Sequence, residues 1–487
     1  MFKKILLVLL GAFLTLATIL LVNTFRLSNT QIEPGTLSQA DWDREAMINR
    51  FSRALQYKTI SGDAGDVRDT TEFYAFLDFI NDEFPLTHER LEIQLFNDLT
   101  PLYYWQGSDP SLDPILLMGH YDVVPIDSTD IDGWTYEPFS GAVADGYIWG
   151  RGALDNKFNV MSLLETKEYL LSVDYRPRRS IYFMYGHDEE IGGNDGAEVV
   201  ARYFQDQNIR LHYLLDEGGV VLDQTDLTGT KTAMIGIAEK GYLSLELIAR
   251  TRGGHSSAPP NELSILKLSE AIQKLVQNQF PARLDGSTEK MFDAVANMLP
   301  FGNRVAYANR WASEGFILRM MTADKDVAPM VRTTIAPTML RAGVKDNVLP
   351  NEARAIVNFR LLPGDTFETV QDHVRRVIND ESITIREYQT IMVPASRVSP
   401  VTSSSYLKLQ QAIMDRFQDL VVVPYLVSGA TDSRHFTNIT EQIYRFTPIE
   451  MDIGDMAIIH GTNERIRIDS YTGAIDFYAH LIRMSTE

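Results

Sequence analysis

The chain has 487 residues, 45% of them hydrophobic and 23% charged, a composition that supports packed cores and argues against disorder. Its formal net charge of −20 argues against nucleic acid as a partner, because binding it requires Lys and Arg to neutralise phosphates. With no cysteine, disulfides, thiolate metal ligands and a cysteine nucleophile are excluded together, so any metal must sit on His and carboxylates.

Residues 1–22 read differently from the rest. Lys3 and Lys4 precede an uncharged run over residues 5–22, with no strong small-residue cleavage site after it. The run comes close to the roughly 20 residues of a typical membrane span. It is read as an uncleaved anchor, with a removed signal peptide and secretion as the alternative. The two lysines would stay in the cytoplasm and send the remaining chain to the extracytoplasmic side, periplasmic or extracellular. Residues 23–40 are polar, carry Pro34 and Gly35, and are expected to form a short linker.

From Trp42 onward, apolar strand-like runs alternate with helical patterns. Residues 114–118, 180–185 and 211–215 read as strands, and 160–171 as an amphipathic helix. This alternation predicts an α/β sheet flanked by helices over residues 41–240. Residues 241–393 look like an α+β insertion, with strands over 242–249, 353–361 and 383–388 and helices over 265–277 and 366–379. Residues 394–487 return to the first style.

Candidate ligands cluster where the strands end: His120 and Asp122 in MGHYDVVP, Asp155 in GRGALDNK, Glu189 and Glu190 in HDEEIGG, Asp216 and Glu217 in LLDEGG, and His460 in IIHGTNE. Open α/β sheets place their sites at the carboxyl ends of strands, so these clusters are expected to converge. A single His or carboxylate there is more often structural. Recurrence at successive strand ends is what points to a metal site of His nitrogens and carboxylate oxygens.

The order H-x-D, G-R-G-A-x-D, E-E, D-E-G-G, G-G-H-S-S-A-P, N-V-x-P and a late H-G resembles the zinc exopeptidase family of carboxypeptidase S, aminoacylase, acetylornithine deacetylase and succinyl-diaminopimelate desuccinylase. GGHSSAPP, TDSRHFTNIT, IYRFTP and IHGTNERI look most like the carboxypeptidase S branch, which includes the N-fatty-acyl-amino-acid synthase/hydrolase. The resemblance implies a mixed sheet flanked by helices, an inserted lid and dimerisation domain, and two zinc ions; cobalt or manganese suit the same donors. It implies that Asp155 bridges metals roughly 3.5 Å apart, with His120 and Asp216 completing one and Glu190 and His460 the other. Between Asp216 and Glu217, the branch favours Asp216. Glu189 would be the general base, and Asp122 would orient His120 through its second ring nitrogen.

In the insertion, His255 looks like the family's lid histidine, which helps stabilise the oxyanion and often comes from the neighbouring subunit. A homodimer through the insertion is one arrangement this admits. Asn347 and Arg360 resemble positions that hold the substrate's polar end, and Arg434 in TDSRHF competes with Arg360 as a carboxylate binder. His187 and His435 are read as structural. The implied activity is carboxypeptidase-type hydrolysis of short peptides, with N-acyl-amino-acid hydrolysis as the alternative. For a long acyl chain, residues 316–318 with Met320 and Met321 offer apolar surface, against ordinary core packing. A non-catalytic, membrane-anchored scaffold of the same fold would lack a ligand or base, and no expected position is missing.

Overall fold

The computed structural model describes residues 1–487 except 29, 38–39, 63–68, 226–227, 285 and 389–391. It divides into two compact units. One contains Asn29–Ile237, Ser399–Tyr425 and Thr431–Glu487; the other contains Met1–Ser28, Ala238–Val398 and Leu426–Ala430.

The first unit is built on an eight-stranded sheet in the order Glu92–Phe96, Thr100–Trp105, Ile181–Gly186, Ile115–His120, Tyr213–Leu222, Ile443–Met451, Thr232–Glu239, Val421–Val427. Its centre is parallel: Ile115–His120 pairs in parallel with Ile181–Gly186 on one side and Tyr213–Leu222 on the other, and Ile443–Met451 follows in parallel. Antiparallel strands flank this centre, so the sheet is mixed. Parallel strands are covered on both faces, which is why Ile115–His120 is an unbroken buried run.

The helix Lys157–Ser172 departs from the amphipathic expectation. Lys157, Asn159, Ser162, Glu165, Thr166 and Lys167 are buried together with its apolar residues. The C-terminal helix Ile468–Thr486 packs on it, with the Tyr478 hydroxyl donating to Asn159 Oδ1 and Thr166 Oγ1 donating to the Ile475 carbonyl at 3.3 Å. Both faces are therefore covered, and each polar side chain needs an internal partner. Arg50 clamps Glu165 with two bonds of 2.7 Å, and Lys157 Nζ donates to the Tyr57 carbonyl at 2.5 Å. Lys167 Nζ instead lies over aromatic rings, 3.6 Å from the Tyr103 centroid, 4.7 Å from Phe183 and 4.8 Å from Tyr185.

Residues 30–35, within the expected linker, hydrogen-bond to this unit. Gln31 exchanges hydrogen bonds with Val422, and the Gly35 amide donates to Asp415 at 2.6 Å.

The second unit holds an antiparallel four-stranded sheet in the order Thr334–Ala342, Glu352–Leu361, Gly241–Arg250, Ile383–Glu387. Helices Ser264–Gln277 and Phe367–Ile378 bury its apolar face through Leu268, Leu275, Val370 and Val374. Thr366 caps the second of these in a capping box, and Asn379 ends it at φ 45°. Of the apolar run at 316–321, Phe316 and Met320 face outward on the helix Arg310–Ala323, while Met321 is buried.

Burial without a hydrogen-bond acceptor among the described residues holds the Lys167 ammonium well below the ordinary lysine range. A lysine depressed in the folded state costs stability below its unfolded pKa, and the cost fades as pH rises towards about 10.4. Lys167→Met is expected to stabilise the chain by about 1–3 kcal/mol at pH 7 in urea unfolding. That gain should shrink towards pH 10. A loss at pH 7 would mean that the ring contacts outweigh the burial cost.

Candidate active site

The parallel register delivers His120, Glu189, Glu190, Asp216 and Glu217 to one end of the sheet, while Asp155 and His460 reach it on loops rather than at strand ends. His120 ends its strand opposite Gly186, so the turn that follows Gly186 brings Glu189 and Glu190 beside it. On the other side Leu117 pairs with Leu215, and the chain continues into Asp216 and Glu217. There the ladder is irregular. Arg445 pairs with Asp216 but Phe446 pairs with Gly219, leaving Glu217 and Gly218 as a bulge. Bulges re-aim side chains, and this one sets Glu217 Oε1 3.3 Å from His120 Nε2. Asp216 turns its oxygens to the backbone amides of Glu217 and Ser433, each at 2.9 Å.

Asp155 stands between the two histidines. Its Oδ1 is 3.0 Å from His120 Nε2, and its Oδ2 is 2.9 Å from His460 Nε2. Glu190 Oε2 lies 3.2 Å from the same His460 nitrogen, and Glu189 Oε2 lies 4.0 Å from His120 Nε2. Asp122 is fully buried, with Oδ1 3.2 Å from His120 Nδ1. It also accepts from Ser61 Oγ at 2.7 Å and from the Glu189 and Glu190 amides at 3.2 Å each. With Nδ1 turned to Asp122, Nε2 of His120 is the nitrogen that faces the carboxylates.

Some of the residues that hold this arrangement carry no clear signal in the sequence. Glu464 is buried and accepts from the Leu154 and Asp155 amides at 2.8 and 3.1 Å. Its other oxygen meets Arg151 Nη1 at 2.6 Å, while Arg151 Nη2 donates to the His460 carbonyl at 3.0 Å. This pair ties the loop carrying Asp155 to the turn carrying His460, where His460 adopts φ 60°. A non-glycine residue pays for that conformation and needs such support. Asn156 donates to Glu217 Oε2 at 2.6 Å. The one available signal was that Glu464 closes the motif HGTNE; an acid there reads equally well as a solvated loop residue.

Glycine has a defined role at Gly193. Its φ is 64°, and a Cβ would stand 1.9 Å from Asp432 Oδ1. Only glycine lets the turn after Glu190 close against that buried carboxyl. His187 pairs with Thr100 Oγ1 at 2.6 Å, and His435 faces the Gly192 carbonyl at 3.1 Å; both brace this loop. Arg434 also donates to the Gly192 carbonyl.

His255, Asn347 and Arg360 belong to the second unit. His255 pairs with Val348, and the Asn347 carbonyl accepts from the Ser256 amide at 3.3 Å, so His255 and Asn347 are neighbours. Arg360 lies over the Tyr242 ring, 4.7 Å from its centroid.

The electrostatics of the first unit's cluster call for a cation. Burial, followed by the Asp155 charge, pushes Glu190 up to about 7, and burial with Asp155 and Asp216 pushes Glu217 up to about 8. Burial also raises Glu189 well above the ordinary carboxylate range. Against the cost of burial, the Glu217, Asp122 and Asp155 carboxylates hold His120 well above the usual histidine value, and Asp155 and Glu190 bring His460 up to about 10. Protons are filling the place of positive charge. Among the described residues, Glu190 Oε1 is buried without a hydrogen-bond donor. The clusters His120–Asp155–Glu190 and His120–Glu189–Glu217 each bring ligand atoms within 4.8 Å of one another. Neutral imidazoles and carboxylates so arranged fit divalent metal ions, and the Nε2 and carboxylate donors suit zinc.

Comparison with known proteins agrees with this chemistry. The profile of peptidase family M20/M25/M40 matches residues 116–484. The chain is 40% identical over 475 residues to the probable carboxypeptidase S-like 2 of Dictyostelium discoideum, covering 95% of this chain and 91% of that one. It is 37% identical over 451 residues to the N-fatty-acyl-amino acid synthase/hydrolase PM20D1 of Homo sapiens, covering 91% and 88%. Its fold is similar to that of the M20 family metallo-carboxypeptidase Sso-CP2 from Sulfolobus solfataricus, with a TM-score of 0.63 at 19% identity over 91% of this chain and 99% of that one. It is also similar to human carnosine dipeptidase 1, with a TM-score of 0.62 at 16% identity over 91% and 96%. Sequence, sheet and site together place the chain in peptidase family M20/M25/M40, a family of metal-dependent hydrolases.

Proposed function

We propose that the chain hydrolyses the amide bond before the C-terminal amino acid of short peptides, using two zinc ions held by His120, Asp155, Glu190, Glu217 and His460. The observation that carries this reading is Asp155, whose two oxygens face a histidine each at 3.0 and 2.9 Å. N-acyl-amino-acid hydrolysis is the second reading, favoured by the 37% identity to a relative of that name.

The ions would supply Lewis-acid polarisation of the scissile carbonyl and make water more acidic. Glu189 takes a proton from the attacking water and passes it to the leaving amine, which needs a carboxylate beside the metal ligands and free to move a proton. Asp122 holds His120 in the tautomer that presents Nε2, and through the Glu189 and Glu190 amides it fixes where both acids point. Arg151 and Glu464 hold Asp155 and His460 in position. Glu217 is favoured over Asp216 as ligand because the Asp216 oxygens already accept backbone amides.

We read His255, Asn347 and Arg360 as lid residues for the oxyanion and the substrate's polar end. Arg360 is favoured over Arg434 for the carboxylate, since Arg434 is committed to the Gly192 carbonyl. The second unit is also the proposed homodimer surface. The helix Phe2–Phe25, with a mean hydropathy of 2.9 over its most apolar window, is read as an uncleaved anchor that keeps the folded chain on the extracytoplasmic side.

Glu189→Gln should retain metal and lose on the order of 10²-fold or more in kcat. Metal analysis with steady-state rates checks this, and near-parental activity would remove Glu189 from the role of base. Glu217→Gln should lower bound metal per chain, whereas Asp216→Asn should keep metal and lower thermal stability. The reverse pattern would return the ligand role to Asp216.

The function itself is tested with zinc-loaded full-length chain on dipeptides, their C-terminal amides and N-acyl amino acids of rising chain length. Free dipeptides should win, and amidation should lower kcat/KM by about tenfold or more, as a half-buried arginine left without its carboxylate partner predicts. Preference for long acyl chains would support the second reading. No turnover of any substrate by metal-loaded protein would overturn both.

A further inference from the structure

A surface helix ordinarily turns charged and polar residues outward. The helix Arg310–Ala323 of the second unit does the opposite. At about 100° per residue, Trp311, Ala312, Gly315, Phe316, Arg319, Met320 and Ala323 share one face. Trp311 is 65% exposed, Phe316 62% and Met320 60%, and Phe301 just before them is 53% exposed. Arg319 is the only charge at the centre of this face. Apolar surface of this extent marks an interaction site.

The same unit ties this helix to the first helix. The buried Asn309, between the helices Phe301–Ala308 and Arg310–Ala323, donates Nδ2 to the Leu20 carbonyl at 3.1 Å and accepts from Asn23 Nδ2 at 2.9 Å. Leu20 lies inside the apolar run of the helix Phe2–Phe25, and Val22, where that run ends, is only about 3 Å further along the axis. These helices are thus fastened to the first helix where its apolar stretch meets its polar end. If the first helix spans a bilayer, they sit at the boundary between acyl chains and headgroups. An aromatic, methionine and arginine face is what that boundary favours, since the arginine reaches the headgroups while its neighbours enter the acyl region.

We propose that residues 298–323 form an in-plane docking element that rests on the phospholipid bilayer occupied by the first helix. This rests on the anchor reading of that helix and is independent of which amide the enzyme cleaves. A second copy of the chain is the less suitable occupant, because the helix that carries the patch starts at Asn309, the residue bonded to the base of the anchor.

The chain contains no cysteine, so single labels are simple to place. Ala312→Cys and Ala323→Cys lie on the apolar face, and Asp372→Cys on an exposed position of the helix Phe367–Ile378 serves as reference. Full-length protein carrying an environment-sensitive fluorophore at each site is reconstituted into phosphatidylcholine vesicles with or without brominated acyl chains. Labels at 312 and 323 should be quenched at least about twofold more than at 372, as insertion below the headgroups requires. Adding Trp311→Ser, Phe316→Ser and Met320→Ser to Ala312→Cys should bring its quenching to the reference level while the chain stays in the vesicles. Equal quenching at all three sites, unchanged quenching in the serine variant, or release of the chain from the vesicles would each overturn the proposal. None of these readouts depends on turnover, so failure here is separable from failure of the peptidase reading.

Discussion

The carboxylate of Asp122 is the constraint on which the site's geometry depends. It is buried, and a buried charge is tolerated only with partners. Its partners are His120, Ser61 and the amides of Glu189 and Glu190. One group therefore joins the end of one parallel strand to the turn after the next. It sets the His120 tautomer and the direction of both glutamates at once, which explains why the site is precise although its acids lie on a turn.

The rest of the cluster is a problem of like charges. Asp155, Glu189, Glu190 and Glu217 converge in a poorly solvated place, and the two histidines cannot neutralise them all without becoming cations themselves. Divalent ions held there would resolve this repulsion and return the histidines to neutral donors. The Arg151–Glu464 pair keeps a further acid from adding to the problem: Glu464 is neutralised on one oxygen and spends the other on the Leu154 and Asp155 amides. Removing either partner of such a pair is costly, since it strands the other charge.

The sheet beneath is shaped by the same demand for full burial. The helix Lys157–Ser172 follows directly from Asp155 and is covered on both sides, so its amino acids cannot be read from an outward polar face. Lys167 under aromatic rings and Glu165 under Arg50 look, in the sequence, like solvent-facing residues of an amphipathic helix. Periodicity reports that a helix forms; it does not report how many layers will cover it.

Much of the molecule was legible in the sequence. The α/β alternation and the recurrence of His and acids at strand ends follow from local pattern, because strands and their ends are written in runs of neighbouring residues. His120, Glu189 and Glu190 follow strand ends as that pattern expects, whereas Asp155 and His460 lie on loops and were reached through the order of the family's motifs. Tertiary structure alone decided which acid of the Asp216–Glu217 pair stands beside His120, because side-chain alternation is reset by a bulge that exists only through pairing with Arg445 and Phe446. It alone exposed Glu464 as a buried tie, since its partners lie more than 300 residues earlier. It also fastened Asn309 to Leu20, giving the outward apolar face of a helix a meaning that composition could not. Sequence determines which groups are present and what they can bind. Long-range pairing determines which of them face one another.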